Sequence, residues 1–108
     1  MATKIDIVRV RRSGTDRRTE QQRDIAGTRV GIRVQWLAQR SRWAMWLLSL
    51  DASLIAGPIL LVPGIDLLAG LRHDPRVPQV EMFVWSQDLA PPDLDTIDGD
   101  AKIYFRAL

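Results

Sequence analysis

The stretch Thr28-Arg29-Val30-Gly31-Ile32-Arg33-Val34-Gln35-Trp36 alternates without a break between polar or small residues and apolar ones. Successive side chains on a β-strand point to opposite faces, so this period of two sets Val30, Ile32, Val34 and Trp36 on one side and Arg29, Arg33 and Gln35 on the other. A half-buried strand with an arginine-bearing outer face follows. The short polar run Gln39-Arg40-Ser41-Arg42 then leads into Trp43-Ala44-Met45-Trp46-Leu47-Leu48-Ser49-Leu50, which is apolar on both faces. The expectation is a second strand, covered on two sides and paired to the first as a hairpin. A helix over 36–50 would gather Trp36, Trp43, Leu47 and Leu50 on one face, but the aromatic content favours strand pairing.

Outward from this hairpin, Asp51-Ala52-Ser53 reads as a tight turn, because Asp and Ser side chains bond nearby backbone. Residues 54–59 should return along the previous strand, with Gly57-Pro58 ending or distorting the pairing, since proline cannot donate to a ladder. Pro63-Gly64 suits a type II turn with Gly64 at positive φ. A short helical turn opening at Asp66, or an irregular buried segment, comes next. Residues 72–79, with Pro75 and Pro78, mark an exposed loop. Val80, Met82 and Val84 alternate with Glu81, Phe83 and Trp85, and Ile103, Phe105 and Ala107 alternate with Lys102, Tyr104 and Arg106, giving two more strands. Between them, residues 86–100 form an acidic connection with Pro91-Pro92 and Asp88, Asp93, Asp95, Asp98 and Asp100.

At the start of the chain, residues 5–12 read as a first strand. The segment at about 13–27, with Arg17, Arg18, Glu20, Gln21, Gln22 and Arg23, lacks apolar residues to bury and reads as an arginine-rich loop or arm that orders on a partner. About six short strands separated by turn signals predict an all-β protein, a small single-domain β-sandwich or barrel over residues 1–108 with at most a short helical turn. Val30, Ile32, Val34, Trp36, Val84 and Phe105 are the expected core.

The chain has 108 residues, no cysteine and one histidine. That length fits one domain, and the lack of cysteine excludes a disulfide framework, a thiolate nucleophile and a cysteine-based zinc site. The formal charge of +2 conceals an asymmetry: residues 1–50 carry 11 basic and 4 acidic residues, net +7, whereas residues 51–108 carry 4 and 9, net −5. Thirteen of the 15 basic residues are arginine, the cation suited to bidentate interface contacts. The longest uncharged run, between Asp51 and Asp66, has 14 residues, short of the roughly 20 needed to span a bilayer. No secretory leader is expected from the first residues, and folding in a reducing cytosol is the corresponding expectation.

No constellation carries chemistry. An ion-binding loop begun at Asp93 would set Ile97 at its fifth position, Asp98 where a glycine belongs and Tyr104 where a bidentate glutamate is required. His73 has no second imidazole for zinc, and none of the serines sits in a nucleophile elbow. Gly64 and Gly70 are followed by no lysine that would make a phosphate loop. No enzyme activity, metal or cofactor is expected. Arg9, Arg11, Arg12, Arg29, Arg33, Arg40 and Arg42 near Trp36, Trp43 and Trp46 keep a single-stranded nucleic-acid-binding small β-barrel as the alternative. Against it stand the core-side position of Trp36, the leucines flanking Trp46 and the acidic second half.

The chain from about residue 28 onward resembles the phage tail baseplate plug family. The resemblance rests on the strand at 29–36, the tryptophan-containing strand at 43–50, the Asp51 turn, the short strand at 54–59 and, most specifically, Leu61-Val62-Pro63-Gly64-Ile65-Asp66-Leu67-Leu68. Pro91-Pro92-Asp93-Leu94 followed by Ile103-Tyr104-Phe105 is similar to the family's ending. Two departures stand out: Ala44, Trp46 and Leu48 where polar residues would alternate, and a longer arginine-rich 13–27 segment. The resemblance implies a non-enzymatic structural protein of a phage tail tip or baseplate, assembled in the host cytoplasm and present in several copies. It would plug or organise the distal end of the tail tube beside hub and spike proteins. Leu61, Val62, Pro63, Gly64, Asp66, Leu67 and Leu68 are then its structural motif. Arg17, Arg18, Arg23, Arg29, Arg33, Arg40, Arg42 and Trp46 are the candidate contacts to acidic partner surfaces.

Overall fold

The alternating stretch becomes the longest strand of the molecule, and the rest of the fold is arranged around it. In the computed structural model, which describes residues 5–8, 17–87, 90–92 and 101–107, seven strands occur. They are β1 (Ile5–Val8), β2 (Arg18–Ile25), β3 (Thr28–Leu37), β4 (Arg42–Leu48), β5 (Leu54–Leu60), β6 (Val80–Ser86) and β7 (Ala101–Ala107). They form two antiparallel sheets, one ordered β2-β3-β4-β5 and the other β1-β7-β6. No helix occurs among the described residues. Two separate sheets sharing one core make the architecture a sandwich rather than a closed barrel, and residues 36–50 are strand and turn rather than helix.

The core is built by the periodicity. Val30, Ile32 and Val34 of β3 face inward beside Trp43, Met45 and Leu47 of β4, while Val80, Met82 and Val84 of β6 and Ile103 and Phe105 of β7 close the cluster from the other sheet. Trp36 departs from the expectation: it is half-buried at the edge of this cluster, set edge-on to Trp43 with ring centroids 5.7 Å apart. Trp43 is wholly buried and takes the central place.

β2 is the main correction. Where the composition suggests a polar loop or arm, residues 18–25 pair with β3 along their whole length, Arg18 opposite Gln35 through Ile25 opposite Thr28. An edge strand needs only one modestly covered face, and Thr19, Gln21 and Arg23 provide it half-buried, with Ile25 alone fully buried. Residues 13–16 of that segment lie outside the described residues, as do residues 9–12 of the expected first strand and residues 88–89 and 93–100 of the acidic connection.

Smaller details have local causes. Of the two outcomes expected at Gly57-Pro58, the pairing is distorted rather than ended: β5 continues to Leu60, with the register against β4 shifting between Met45 and Leu48. The loop at 72–79 is anchored rather than fully exposed, because Val77 and Pro78 are buried. After Gly64 the irregular alternative is found, as successive turns closed by Ala69 N–H to Asp66 O, Leu71 N–H to Leu68 O and Asp74 N–H to Leu71 O, with Leu67 and Leu68 buried.

Candidate functional site

The segment 61–68 is where the chain passes from one sheet to the other. Leu61 N–H donates to the Trp43 carbonyl at 3.0 Å, which ties it to the first sheet. Two residues later Pro63 forms a parallel bridge with Val84, and Leu67 N–H donates to the Met82 carbonyl at 2.6 Å, which ties it to β6. Gly64 turns the chain with φ +85°, as the Pro-Gly pair requires. Leu67 and Leu68 then drop into the core.

Asp66 fastens this crossing. Its Oδ1 accepts from the amides of Leu68 and Met82, both at 3.1 Å, and its Oδ2 accepts from Arg72 Nη1 at 2.5 Å. The same Arg72 nitrogen also donates to the Val80 carbonyl at 3.1 Å. Partial burial works to raise the Asp66 pKa, but the Arg72 guanidinium and the two amides outweigh it and hold the carboxyl below its ordinary value. Leu61, Leu67, Leu68 and Asp66 thus serve the joining of the two sheets, while Gly64 and Ile65 stay exposed at the surface.

The outer faces of both sheets carry charged and apolar side chains. On the four-stranded sheet, Arg33 Nε and Arg18 Nη2 both donate to Glu20 Oε1, at 2.6 and 2.7 Å. Arg18 first and then Arg33 hold Glu20 below its usual carboxylate range. Arg33 lies opposite Trp46 in the β3–β4 register, so the charged cluster borders an apolar band on β4 and β5. Two glycines shape that band. Leu48 packs over Gly31, where a Cβ would come within 3.2 Å of Leu48 Cβ, and Trp46 packs over Gly57, where a Cβ would come within 2.8 Å of Trp46 Cδ1. Leu48 is buried over Gly31 and Ala44 is buried between Gln35 and Leu60, although both face away from the core, while Trp46 is half-buried and Leu54 remains 57% exposed. A groove of about 240 Å³ lies beside this band, lined by Gln22, Gly31, Leu48, Leu50 and neighbouring residues.

The candidate arginines are divided by the register. Arg17, Arg18, Arg40 and Arg42 lie at the end of the sheet that carries the β3–β4 turn, and Arg29 lies exposed at the opposite end. Arg33 and Trp46 lie together in the middle. Arg23 is turned to the other face, its guanidinium 5.3 Å from the centre of the Phe105 ring, so it packs against the core rather than joining that outer surface.

A second surface was not singled out from the sequence. On the outer face of β6 and β7, Phe83 stacks on Tyr104 with centroids 5.7 Å apart and planes 16° from parallel. Arg106 lies 5.8 Å from the Phe83 ring centre while its Nε donates to Glu81 Oε2 at 2.6 Å. Trp85, opposite Lys102, is 48% exposed. Ile65, 53% exposed, borders a groove of about 300 Å³ shared with Asp66, Glu81, Phe83 and Arg106. The alternation of residues 80–85 already set Phe83 and Trp85 opposite the core side; what it lacked was the partner strand that lines them up with Tyr104.

Among the described residues, no group of three or more His, Asp or Glu is placed to hold a metal ion, and no helix is long and apolar enough to cross a membrane. A search of curated proteins finds no match to the chain. The family model described as cyanophage baseplate Pam3 plug gp18 matches residues 14–107, which takes in β2 through β7 and the whole crossing segment. Covering most of the chain, this match shows that the chain belongs to the phage baseplate plug family and is a structural component of the virion tail.

Proposed function

We propose that the protein is a non-enzymatic plug that closes or organises the distal end of the tail tube, seated in several copies against hub and spike proteins and assembled in the host cytoplasm. The observation that carries this reading is the division of labour in the chain. Asp66 and the buried leucines of the motif serve to join the two sheets, while both outer faces keep apolar residues beside arginines. Interfaces combine such aromatic and arginine contacts with a polar rim. Co-expression of the tagged chain with the tail-tip proteins encoded beside it tests the reading: hub or spike proteins should co-purify in fixed ratio. Recovery of the tagged chain alone, with the same proteins soluble in the lysate, would refute it.

A second reading is favoured by the Phe83–Tyr104 stack with Arg106 and Lys102 beside it, since bases of a single strand stack on such platforms. Two of the three tryptophans that first suggested nucleic acid do not support it, because Trp43 is buried and Trp36 packs against it, whereas Trp46 lies half-buried on an outer face opposite Arg33. A gel shift with short oligonucleotides at low salt separates the readings. No shift is expected for a plug, whereas a shift that weakens steeply with salt would favour the nucleic-acid reading.

A further inference from the structure

β2 is an open edge: among the described residues only β3 pairs with it, and it carries no proline, no lysine and no bulge in its register. Natural edge strands are usually blunted by such devices or by charges, because the unpaired groups otherwise recruit another strand. The charges of β2, Arg18, Glu20, Asp24 and the inward-turned Arg23, are of both signs, so they oppose some registers and favour another. The phase of the ladder shows which groups are free to do so. Trp36 N–H donates to the Arg17 carbonyl at 2.8 Å, so odd-numbered residues of β2 bond to β3. The N–H and C=O groups of Arg18, Glu20, Gln22 and Asp24 therefore point to the open side.

We propose that this edge pairs with the β2 of a second copy of the chain, antiparallel and two-fold symmetric about Gln21. Only even residues can face even residues across such a seam, which leaves few registers. Centring on Gln21 sets Arg18 opposite the partner's Asp24 and Glu20 opposite the partner's Gln22, each twice, over residues 18–24. Centring on Glu20 or Arg23 would set like charges directly opposite, and centring on Gln22 would set Glu20 against Asp24, all destabilising. Centring on Thr19 would leave only a three-residue overlap of the strand. The sequence Arg18-Thr19-Glu20-Gln21-Gln22-Arg23-Asp24 is thus complementary to itself in one register. The product is a continuous sheet of eight strands, four from each copy. Its outer face doubles the Arg18, Glu20 and Arg33 cluster. This pairing does not depend on which tail protein the chain meets and is tested on the purified chain.

Because the chain has no cysteine, a single introduced thiol reports the register. Gln21→Cys faces itself across the two-fold, within the Cα spacing of about 4.4–6.8 Å that a disulfide allows, whereas Thr19→Cys faces the partner's Arg23. Mild oxidation should convert Gln21→Cys to a covalent dimer and leave Thr19→Cys monomeric; equal cross-linking of both, or of neither, would overturn the register. Light scattering on the unmodified chain at about 100 µM, where small interfaces of this class are populated, should give the mass of a dimer. Gln22→Pro, which removes an outward amide without touching the β3 ladder, should return that mass to a monomer. Arg18→Glu should weaken the dimer about tenfold. A monomer for the unmodified chain, or a dimer untouched by Gln22→Pro, would overturn the pairing.

Discussion

Gly57 and Gly64 both hold positive φ, at +131° and +85°, yet they answer to different constraints. Nothing lies within 4 Å of a Cβ built at Gly64, so Gly64→Ala or Gly64→Val should cost only the backbone strain, about 1 kcal/mol. A Cβ at Gly57 would meet Trp46 Cδ1 at 2.8 Å and the Met45 carbonyl at 3.0 Å, so Gly57→Ala should cost about 3 kcal/mol in urea unfolding. Adding Trp46→Ala should recover part of that loss but not the backbone share; full recovery, or none, would contradict this packing. At Asp66, substitution by alanine leaves the Leu68 and Met82 amides without their acceptor and Arg72 without its partner. A loss of about 2–3 kcal/mol is expected, whereas Asp66→Asn, which keeps an acceptor, should lose about 1 kcal/mol. Equal losses for the two would show that the carboxylate charge, rather than the amide contacts, fastens the crossing.

Among the elements, β3 and β4 were legible because their core faces are wholly apolar and their turn is polar, and β6 and β7 because each keeps a strict alternation. β2 was not. Its inward residues Thr19, Gln21 and Arg23 are polar, and an edge strand is specified by the hydrogen bonds of its neighbour rather than by its own burial. The burial of Leu48 on an outer face was foreshadowed by its apolar character, but its seat over Gly31 is revealed only by the register. The motif 61–68 was legible as a turn with buried leucines. That Asp66 bridges to β6 was not, because Met82 lies 16 residues away. The ladder phase of β2 gives a direct check at this scale. Gln21→Pro removes an amide that bonds β3 and should cost about 2 kcal/mol or more, while Gln22→Pro should leave thermal stability of the monomer nearly unchanged. Equal destabilisation by the two would mean that the phase is wrong.

For the whole molecule, the contrast between a +7 half and a −5 half becomes a distribution over surfaces: arginines border the outer face of the four-stranded sheet, and Glu20 among them is paired with Arg18 and Arg33. Several carboxylates are held ionised by these contacts. Asp51, through the Ser49 and Ser53 hydroxyls, and Asp74, through Arg76, are lowered from 3.8 to about 2, and Asp66 and Glu20 are lowered as well. A carboxylate with a depressed folded pKa adds stability that is fully present above its unfolded value and lost as pH falls through the folded one. Unfolding free energy should therefore be flat from neutral pH to about 4.5 and decline between about 4 and 2. A stability that rises on acidification would contradict these pairings. The most direct test of the plug assignment is electron cryomicroscopy of tails from the parent phage and from a mutant lacking this chain. Sandwich-shaped density at the distal end of the tube, fitted by the two sheets and absent from the mutant, is the predicted result; identical tail tips in the two reconstructions would contradict it.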